Sequence, residues 1–311
     1  MANPKSKPLV SILTPVFNAN KNGYLETCIK SILDQDYKNI EHIFSDGGSS
    51  DGTIEIIKKY AKKYPGRIKL SIKKDNGVGS GLKNAYTISS GEIIGWMDAD
   101  DFYNLGSVSY CVDIFLKNPD HHFIYGNCNI VDENNNHIGN FIVRDFNKYE
   151  WLNIQHYIIF NSLFFRREVI ENCGFVNDLG NDLYFYMSVA KKYKFHRIDR
   201  VLSNWRLHNQ SISLKSSDRE KSIRWHRALE DLLLVIKYRG SIFSPRALIF
   251  LAVIEPSIYK FFKPLVPLCP SILKKFIIKF MFKIKRSISM PNRNKNNNYF
   301  IPFLNRIFTD R

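Results

Sequence analysis

The sequence predicts an α/β protein built on a mostly parallel sheet flanked by helices, and three observations predict it. Short apolar, β-branched runs alternate with segments of helical hydrophobic spacing over roughly the first third of the chain. Each apolar run feeds a polar loop, at residues 14–18, 46–51, 75–81 and 98–101. The 311 residues are 44% hydrophobic and 14% aromatic, which supplies a sizeable core and excludes a disordered chain.

The elements follow in order. Leu9 to Val16 is an apolar run that reads as a first buried strand, with Thr14-Pro15 ending its regular pairing because proline cannot donate to a ladder. Asn18 to Gly23 is turn chemistry, and Tyr24, Cys28, Ile29, Ile32 and Leu33 recur at helical spacing. Ile40 to Ser45 alternates as a second strand and runs into a glycine-rich loop from Asp46 to Thr53, where Ser50 or Asp51 caps the next helix. Pro65-Gly66 breaks that helix, Ile68 to Ile72 forms a third strand, and Asp75 to Gly81 opens a helix reaching Ser89. Parallel strands joined by right-handed crossovers bring the four polar loops to one edge, where open α/β sheets bind nucleotides.

The fourth loop is chemically the most pointed. Ile93 to Met97 reads as a buried strand delivering Asp98, Asp100 and Asp101 to its C-terminal end. Carboxylates this crowded repel unless donors or a hard divalent cation compensate them, and Mg²⁺ or Mn²⁺ held by one or two carboxylates plus substrate phosphates is a common solution. The other reading is that Asp100 and Asp101 cap a following helix. Gly77 to Gly81 is not GxGxxG, and GxxxxGK[ST] is absent, so the dinucleotide and P-loop fingerprints are both missing.

Charge and cysteine usage narrow the class. Residues 240–311 hold 13 Lys and Arg against Glu255 and Asp310, so +11 of the chain's net +16 lies there. Five scattered cysteines without CxxC spacing point to a reducing compartment rather than a zinc site or disulfide framework. Met1 to Lys7 does not lead into a signal-type h-region, the short Leu9 to Val16 run being read as a strand that ends at Thr14-Pro15, so no secretory leader is expected and the cytoplasm is the expected location.

Taken together and in order, these segments resemble the family 2 glycosyltransferases of GT-A fold. The matching pieces are Val10 to Asn18, Leu25 to Gln35, Ser45 to Thr53, Asp75-Asn76-Gly77 and Gly91 to Asp101, then Asn161 to Phe175, Gly180 to Phe195 and Val201 to His208. The resemblance implies sugar transfer from a nucleotide donor, UDP-linked by default, to an acceptor hydroxyl with inversion. It implies Asp100 as metal ligand with His208 near the metal-diphosphate, and Asp98 at the ribose or a metal-bound water. It also puts Asp46 at the base, the Thr14, Pro15, Phe17 and Asn18 segment beneath it, and Asp75 near base or ribose. Asp75 equally suits an Asx turn with Asn76-Gly77. Asp182 matches the second residue of the family's ED motif and so its catalytic base; read alone it suits a helix cap. Asn181 stands where the family has Glu, and Tyr184 and Ser188 replace Asp and Arg common in relatives, which bears on the acceptor contacts. The implied cofactor is Mn²⁺ or Mg²⁺, and the implied partners are a nucleotide-sugar donor and a glycan or lipid-linked acceptor in bacterial surface-polysaccharide assembly.

The expected organisation is a GT-A catalytic domain over residues 1–216, with a nucleotide-sugar half at 1–101 and an acceptor half at 102–216. A basic helical extension follows at 217–311. Ile272 to Arg286 sets Phe, Ile and Met against Lys, the composition of a helix lying in a membrane interface, so an anionic membrane surface is favoured over nucleic acid; the other reading is a helix docked on the protein with its lysines solvated. This predicts a protein peripheral on the inner face of the cell membrane. Two other readings are a nucleotidyltransferase on a similar sheet, which wants a basic triphosphate loop not visible near Thr14, and an inactive scaffold of a membrane polysaccharide complex.

Overall fold

The computed structural model describes residues 7–153, 158–175 and 182–208, with isolated positions 235, 240, 244 and 247. The chain divides into one compact unit of Met1–Phe146 with Tyr157–His208, and another of Asn147–His156 with Asn209–Arg311. The basic stretch from Ile272 to Arg286 lies outside the described residues.

In the first unit the elements run β1 (Val10–Val16), α1 (Tyr24–Leu33), β2 (Ile40–Asp46), α2 (Thr53–Lys63), β3 (Ile68–Ile72), α3 (Val78–Thr87) and β4 (Ile93–Trp96). They continue with β5 (Phe102–Tyr103), α4 (Ser107–Lys117), β6 (Phe123–Val131) and β7 (His137–Phe141). The short helix α5 (Lys148–Asn153) belongs to the other unit. A 3₁₀ turn (Phe160–Ser162), β8 (Leu163–Arg166), α6 (Arg167–Cys173), α7 (Asp182–Val189) and β9 (Phe195–Arg206) complete the first.

The strands form one sheet in the order β3-β2-β1-β4-β8-β6-β9-β5, with β7 paired to β6. The first four strands are parallel, as the strand-helix alternation demands. Beyond β4 the sheet turns mixed, because β8 pairs antiparallel to both β4 and β6. The expectation of a mostly parallel sheet therefore describes the first half only. β8 is not reached from β4 by a single strand-helix-strand crossover of the kind that keeps neighbouring strands parallel, but only after β5, α4, β6, β7 and α5. Successive strands proceed outwards from β1 to β3, and β4 returns to the other side of β1, so the order reverses between β1 and β4. A crevice forms outside the carboxyl ends of strands at such a point.

β1 also departs from expectation by continuing through Pro15, which pairs with Ser45, to Val16. Odd-numbered residues of β1 turn their backbone polar groups towards β4, as the bond from the Met97 N–H to the Leu13 carbonyl illustrates. The position of Pro15 on that side falls beyond the last residue of β4, so its missing N–H leaves no ladder bond unmade.

Helix α1 contributes to two apolar clusters that cover the sheet. Val10, Ile12, Cys28, Ile32, Cys111, Phe115 and Phe164 belong to one buried cluster, and Leu25, Ile29, Phe44, Ile57 and Ile68 to another. Below the strands, at their N-terminal ends, Glu41 is buried and forms a polar knot that the hydrophobic pattern does not reveal. Its carboxylate accepts from the Ser11 hydroxyl at 2.5 Å, the Ser90 N–H at 2.6 Å and the Gly91 N–H at 3.2 Å, and pairs with Lys69 Nζ at 2.6 Å. Burial alone would raise the Glu41 pKa, but Lys69, Ser11 and Ser90 outweigh it and hold the carboxyl below its ordinary value. Glu41→Ala strands the Ser11 hydroxyl, the Ser90 N–H and the lysine, while the Gly91 N–H keeps Ser11 Oγ at 2.8 Å, and should reduce unfolding free energy by about 2–4 kcal/mol in urea titration. A change below about 0.5 kcal/mol would show that the knot contributes nothing.

Candidate active site

The carboxyl ends of β1, β2 and β3 are level, with Val16 opposite Asp46 and Asp46 opposite Ile72. The predicted loops therefore do share one edge. Asp46 ends β2 fully buried, and its Oδ1 accepts from the Gly48 N–H at 2.8 Å and the Ser49 N–H at 2.7 Å. The second oxygen, Oδ2, is buried and has no hydrogen-bond partner among the described residues. A buried acceptor in that condition is costly unless something brings an N–H or O–H to it.

Asp75 closes over the same loop. Its Oδ1 accepts from the Gly77 N–H at 3.1 Å, the Asx turn expected of Asp75-Asn76-Gly77. A Cβ on Gly47 would stand 3.0 Å from Asp75 Oδ2, and one on Gly81 would stand 3.1 Å from it and 2.8 Å from Pro15 Cβ. Glycine at 81 lets Pro15 approach, and glycine at 47 leaves the Asp75 carboxylate its place.

The β1 end divides its labour. Thr14 is buried and meets His42 Nε2 through its hydroxyl at 2.9 Å, so its side chain serves the seam between β1 and β2. Asn18, at φ 50°, locks the Asp46 loop: its N–H donates to Ser49 Oγ at 2.8 Å and its Oδ1 accepts from the Ser50 N–H at 3.0 Å. Phe17, between them, is 66% exposed. Asp51, one of two expected helix caps, accepts from the Thr53 N–H at 3.1 Å, although Gly52 occupies the cap position itself.

On the other side of the crevice the three aspartates part company. Asp100 Oδ2 lies 2.9 Å from His208 Nε2, which joins two residues 108 apart in the chain, and the imidazole leans on the Tyr24 ring at 5.0 Å. Asp101 is 1% exposed. Its Oδ1 accepts from the Arg206 N–H at 2.7 Å, and its Oδ2 accepts from Asn161 Nδ2. Arg206 also donates from Nε to the Asp100 carbonyl at 2.7 Å and from Nη1 to Asn135, while its guanidinium lies 4.2 Å over the Tyr24 ring. The helix-cap reading of Asp101 is thus overturned: α4 begins only at Ser107, behind Gly106, and the carboxylate is spent on Arg206 and Asn161. Burial, with Asp100 and Asp98 alongside, pushes the Asp101 pKa well above the ordinary carboxylate range. Asp98 receives Asn161 Nδ2 at 3.3 Å and donates its own N–H to Asn161 Oδ1 at 2.8 Å.

Asp182 is the first residue of α7, and its side chain is not described. One turn on, Phe185 packs on Trp96 with ring centroids 4.8 Å apart, which seats α7 beside the strand that leads to Asp98. Tyr184, at one of the substituted positions, is 37% exposed. Asn161, Arg206, Tyr24 and Asn135 are site residues that sequence reasoning did not single out. No local signal marked Asn161, whose place opposite Asp98 follows from the long-range pairing of β8 with β4; for Arg206 the signal was a charged residue two positions before His208. Among the described residues there is no group of three or more His, Cys, Asp and Glu that could hold a metal ion.

A family model matches residues 11–174, described as glycosyl transferase family 2. The chain belongs to that family. It is 29% identical over 253 residues to a chondroitin synthase from Escherichia coli, covering 77% of this chain and 35% of that protein. A hyaluronan synthase from Pasteurella multocida is 27% identical over 214 residues, 67% of this chain and 21% of the relative. The chain therefore spans about a third or less of the length of these synthases. With a GalNAc(5)-diNAcBac-PP-undecaprenol beta-1,3-glucosyltransferase from Campylobacter jejuni it shares 29% identity over 219 residues, 68% of this chain and 69% of the relative. The fold is GT-A, matching a Pyrobaculum calidifontis mannosyltransferase in complex with GDP-Man and Mn²⁺ at TM-score 0.56 and 17% identity, over 93% of this chain and 78% of that one. Residues 1–349 of Staphylococcus aureus TarS, in complex with UDP-GlcNAc, match at TM-score 0.56 and 13% identity, over 89% and 92% of the two chains.

The Thr14–His42 seam gives the family 2 scaffold a pH signature. Burial depresses the His42 pKa from 6.5 to about 3. Between those values the unfolded chain holds a proton that the folded chain refuses, so stability falls as pH is lowered through that window. The melting temperature should decline from pH 6.5 towards 4, and His42→Gln, which keeps a donor near Thr14, should flatten the decline. An unchanged slope in the variant would assign it to other groups.

Proposed function

We propose that this chain transfers a sugar from a nucleotide-diphosphate donor, UDP-linked by default, to an acceptor hydroxyl with inversion. The observation that carries the reading is Asp100 Oδ2 beside His208 Nε2 at 2.9 Å, on the edge that Asp46, Asp75 and Asp98 share. A carboxylate oxygen next to an imidazole nitrogen fits Mn²⁺ or Mg²⁺ completed by phosphate oxygens. When bound, that ion neutralises the charge growing on the leaving β-phosphate.

The chain's own residues have distinct tasks in this reading. The partnerless Asp46 Oδ2 accepts an N–H from the base, as the imide or amide N–H of uracil or guanine offers. Asp75 borders the base or ribose, Asp98 holds the ribose, and the Pro15 to Asn18 backbone lies beneath. Asp182 takes the proton of the acceptor hydroxyl as its oxygen bonds to the anomeric carbon and the bond to the β-phosphate breaks. One base and no enzymic nucleophile gives single displacement, hence inversion.

The relatives support an acceptor within a bacterial polysaccharide or lipid-linked glycan. Residues 1–216 are proposed as the catalytic domain. Residues 217–311 are proposed as an extension that attaches the protein to the cytoplasmic face of the membrane through its basic amphipathic stretch. No helix among the described residues is long and apolar enough to cross a membrane.

Screening nucleotide sugars with Mn²⁺ for donor hydrolysis and transfer identifies the donor. Asp100→Ala should then lower kcat/KM by about 10²–10³-fold, some 3–4 kcal/mol of barrier. Asp182→Asn should abolish transfer while leaving nucleotide binding within about twofold of wild type. Full activity in Asp100→Ala would overturn the reading.

A further inference from the structure

β8 pairs antiparallel with β4, with Gly95 opposite Phe164. Continuing that register three residues past the paired strands brings Asp98 opposite Asn161. The hydrogen bonds follow this placement. The Asp98 N–H can only donate, so Asn161 must turn Oδ1 to it, at 2.8 Å, and its Nδ2 then faces the Asp98 and Asp101 carboxylates. Asn161 is 3% exposed and Asp101 1%, so water does not compete freely for the bond between them, and Asp98 is half-buried beside them. The amide supplies the acceptor and the donor from two separate atoms, one to the Asp98 N–H and the other to the carboxylates. The same 3₁₀ turn leads into β8 and α6, the segment preceding α7 and Asp182.

We propose that Asn161 is a positioning residue that fixes the Asp98 carboxylate, and with it the Asp98–Asp100 turn, in the geometry that receives the nucleotide diphosphate and its cation. This rests on the function proposed above. Asn161 touches no substrate; it acts through Asp98. Without its Nδ2–H, two carboxylates would face each other inside the protein and Asp98 would swing away from Asp101.

Because Asn161 is buried, a stability loss must be separated from a positioning loss. Asn161→Asp removes the donor from both carboxylates. Adding Asp101→Asn restores an amide–carboxylate pair with the roles exchanged and keeps an oxygen for the Arg206 N–H, yet leaves the carboxylate introduced at position 161 against Asp98. The measurements are melting temperature and calorimetric binding of UDP, GDP, dTDP and ADP, each with and without Mn²⁺.

Asn161→Asp should lower both melting temperature and Mn²⁺-dependent nucleotide affinity. In the double variant N161D/D101N the melting temperature should return towards wild type while affinity stays about 10-fold or more below it. Affinity that recovers in step with melting temperature would overturn the proposal and leave Asn161 a purely structural residue. A wild-type protein that binds none of the four nucleotides would instead overturn the proposed function, and this inference with it.

Discussion

One buried carboxylate, Asp101, ties together the side of the site where charge is handled. Its two oxygens hold the 3₁₀ turn through Asn161 and the end of β9 through the Arg206 backbone, segments 60 and 105 residues away. Removing a carboxylate from water is expensive, and the expense is offset only if its lone pairs find well-placed donors. Once they do, the flanking residues have little freedom. Asp98 is set against Asn161, and Asp100 is turned out to His208 with its carbonyl held by Arg206. Within the triplet Asp101 is the buried carboxylate and is spent on structure, while Asp98 and Asp100 are half-buried.

The other side of the crevice is built differently. There the supporting groups are backbone N–H donors and glycines: Gly48 and Ser49 donate to Asp46, and Gly47 and Gly81 make room for Asp75. Asp46 keeps one buried oxygen without a partner among the described residues, an arrangement that favours a ligand bringing an N–H over one bringing another acceptor. In the proposed function, the Asp46 loop serves recognition and the carboxylate-imidazole pair serves charge.

Much of this was legible because it depends on local pattern. The alternation of β-branched runs with helical spacing located β1 to β4 and their parallel order, and the polar loops at their ends named Asp46, Asp75, Asp98 and Asp100. Long-range pairing was not legible. Nothing in the local pattern tells that β8 runs antiparallel to β4, so the bond from Asn161 to Asp98 and Asp101 could not be read. Asp101 resembled a helix cap because a carboxylate after an apolar run suits either task, and only burial decides between them. His42 and Glu41 looked like ordinary polar positions of an alternating strand, although both are buried.

The central claim is that Asp100 and His208 hold a cation against a bound diphosphate. Anomalous diffraction at the manganese edge, from crystals grown with MnCl₂ and the nucleotide diphosphate of the identified donor, tests it directly. The account predicts one peak within coordination distance of Asp100 Oδ2 and His208 Nε2, with phosphate oxygens completing the shell. A well-ordered diphosphate with manganese elsewhere, or with none, would contradict it.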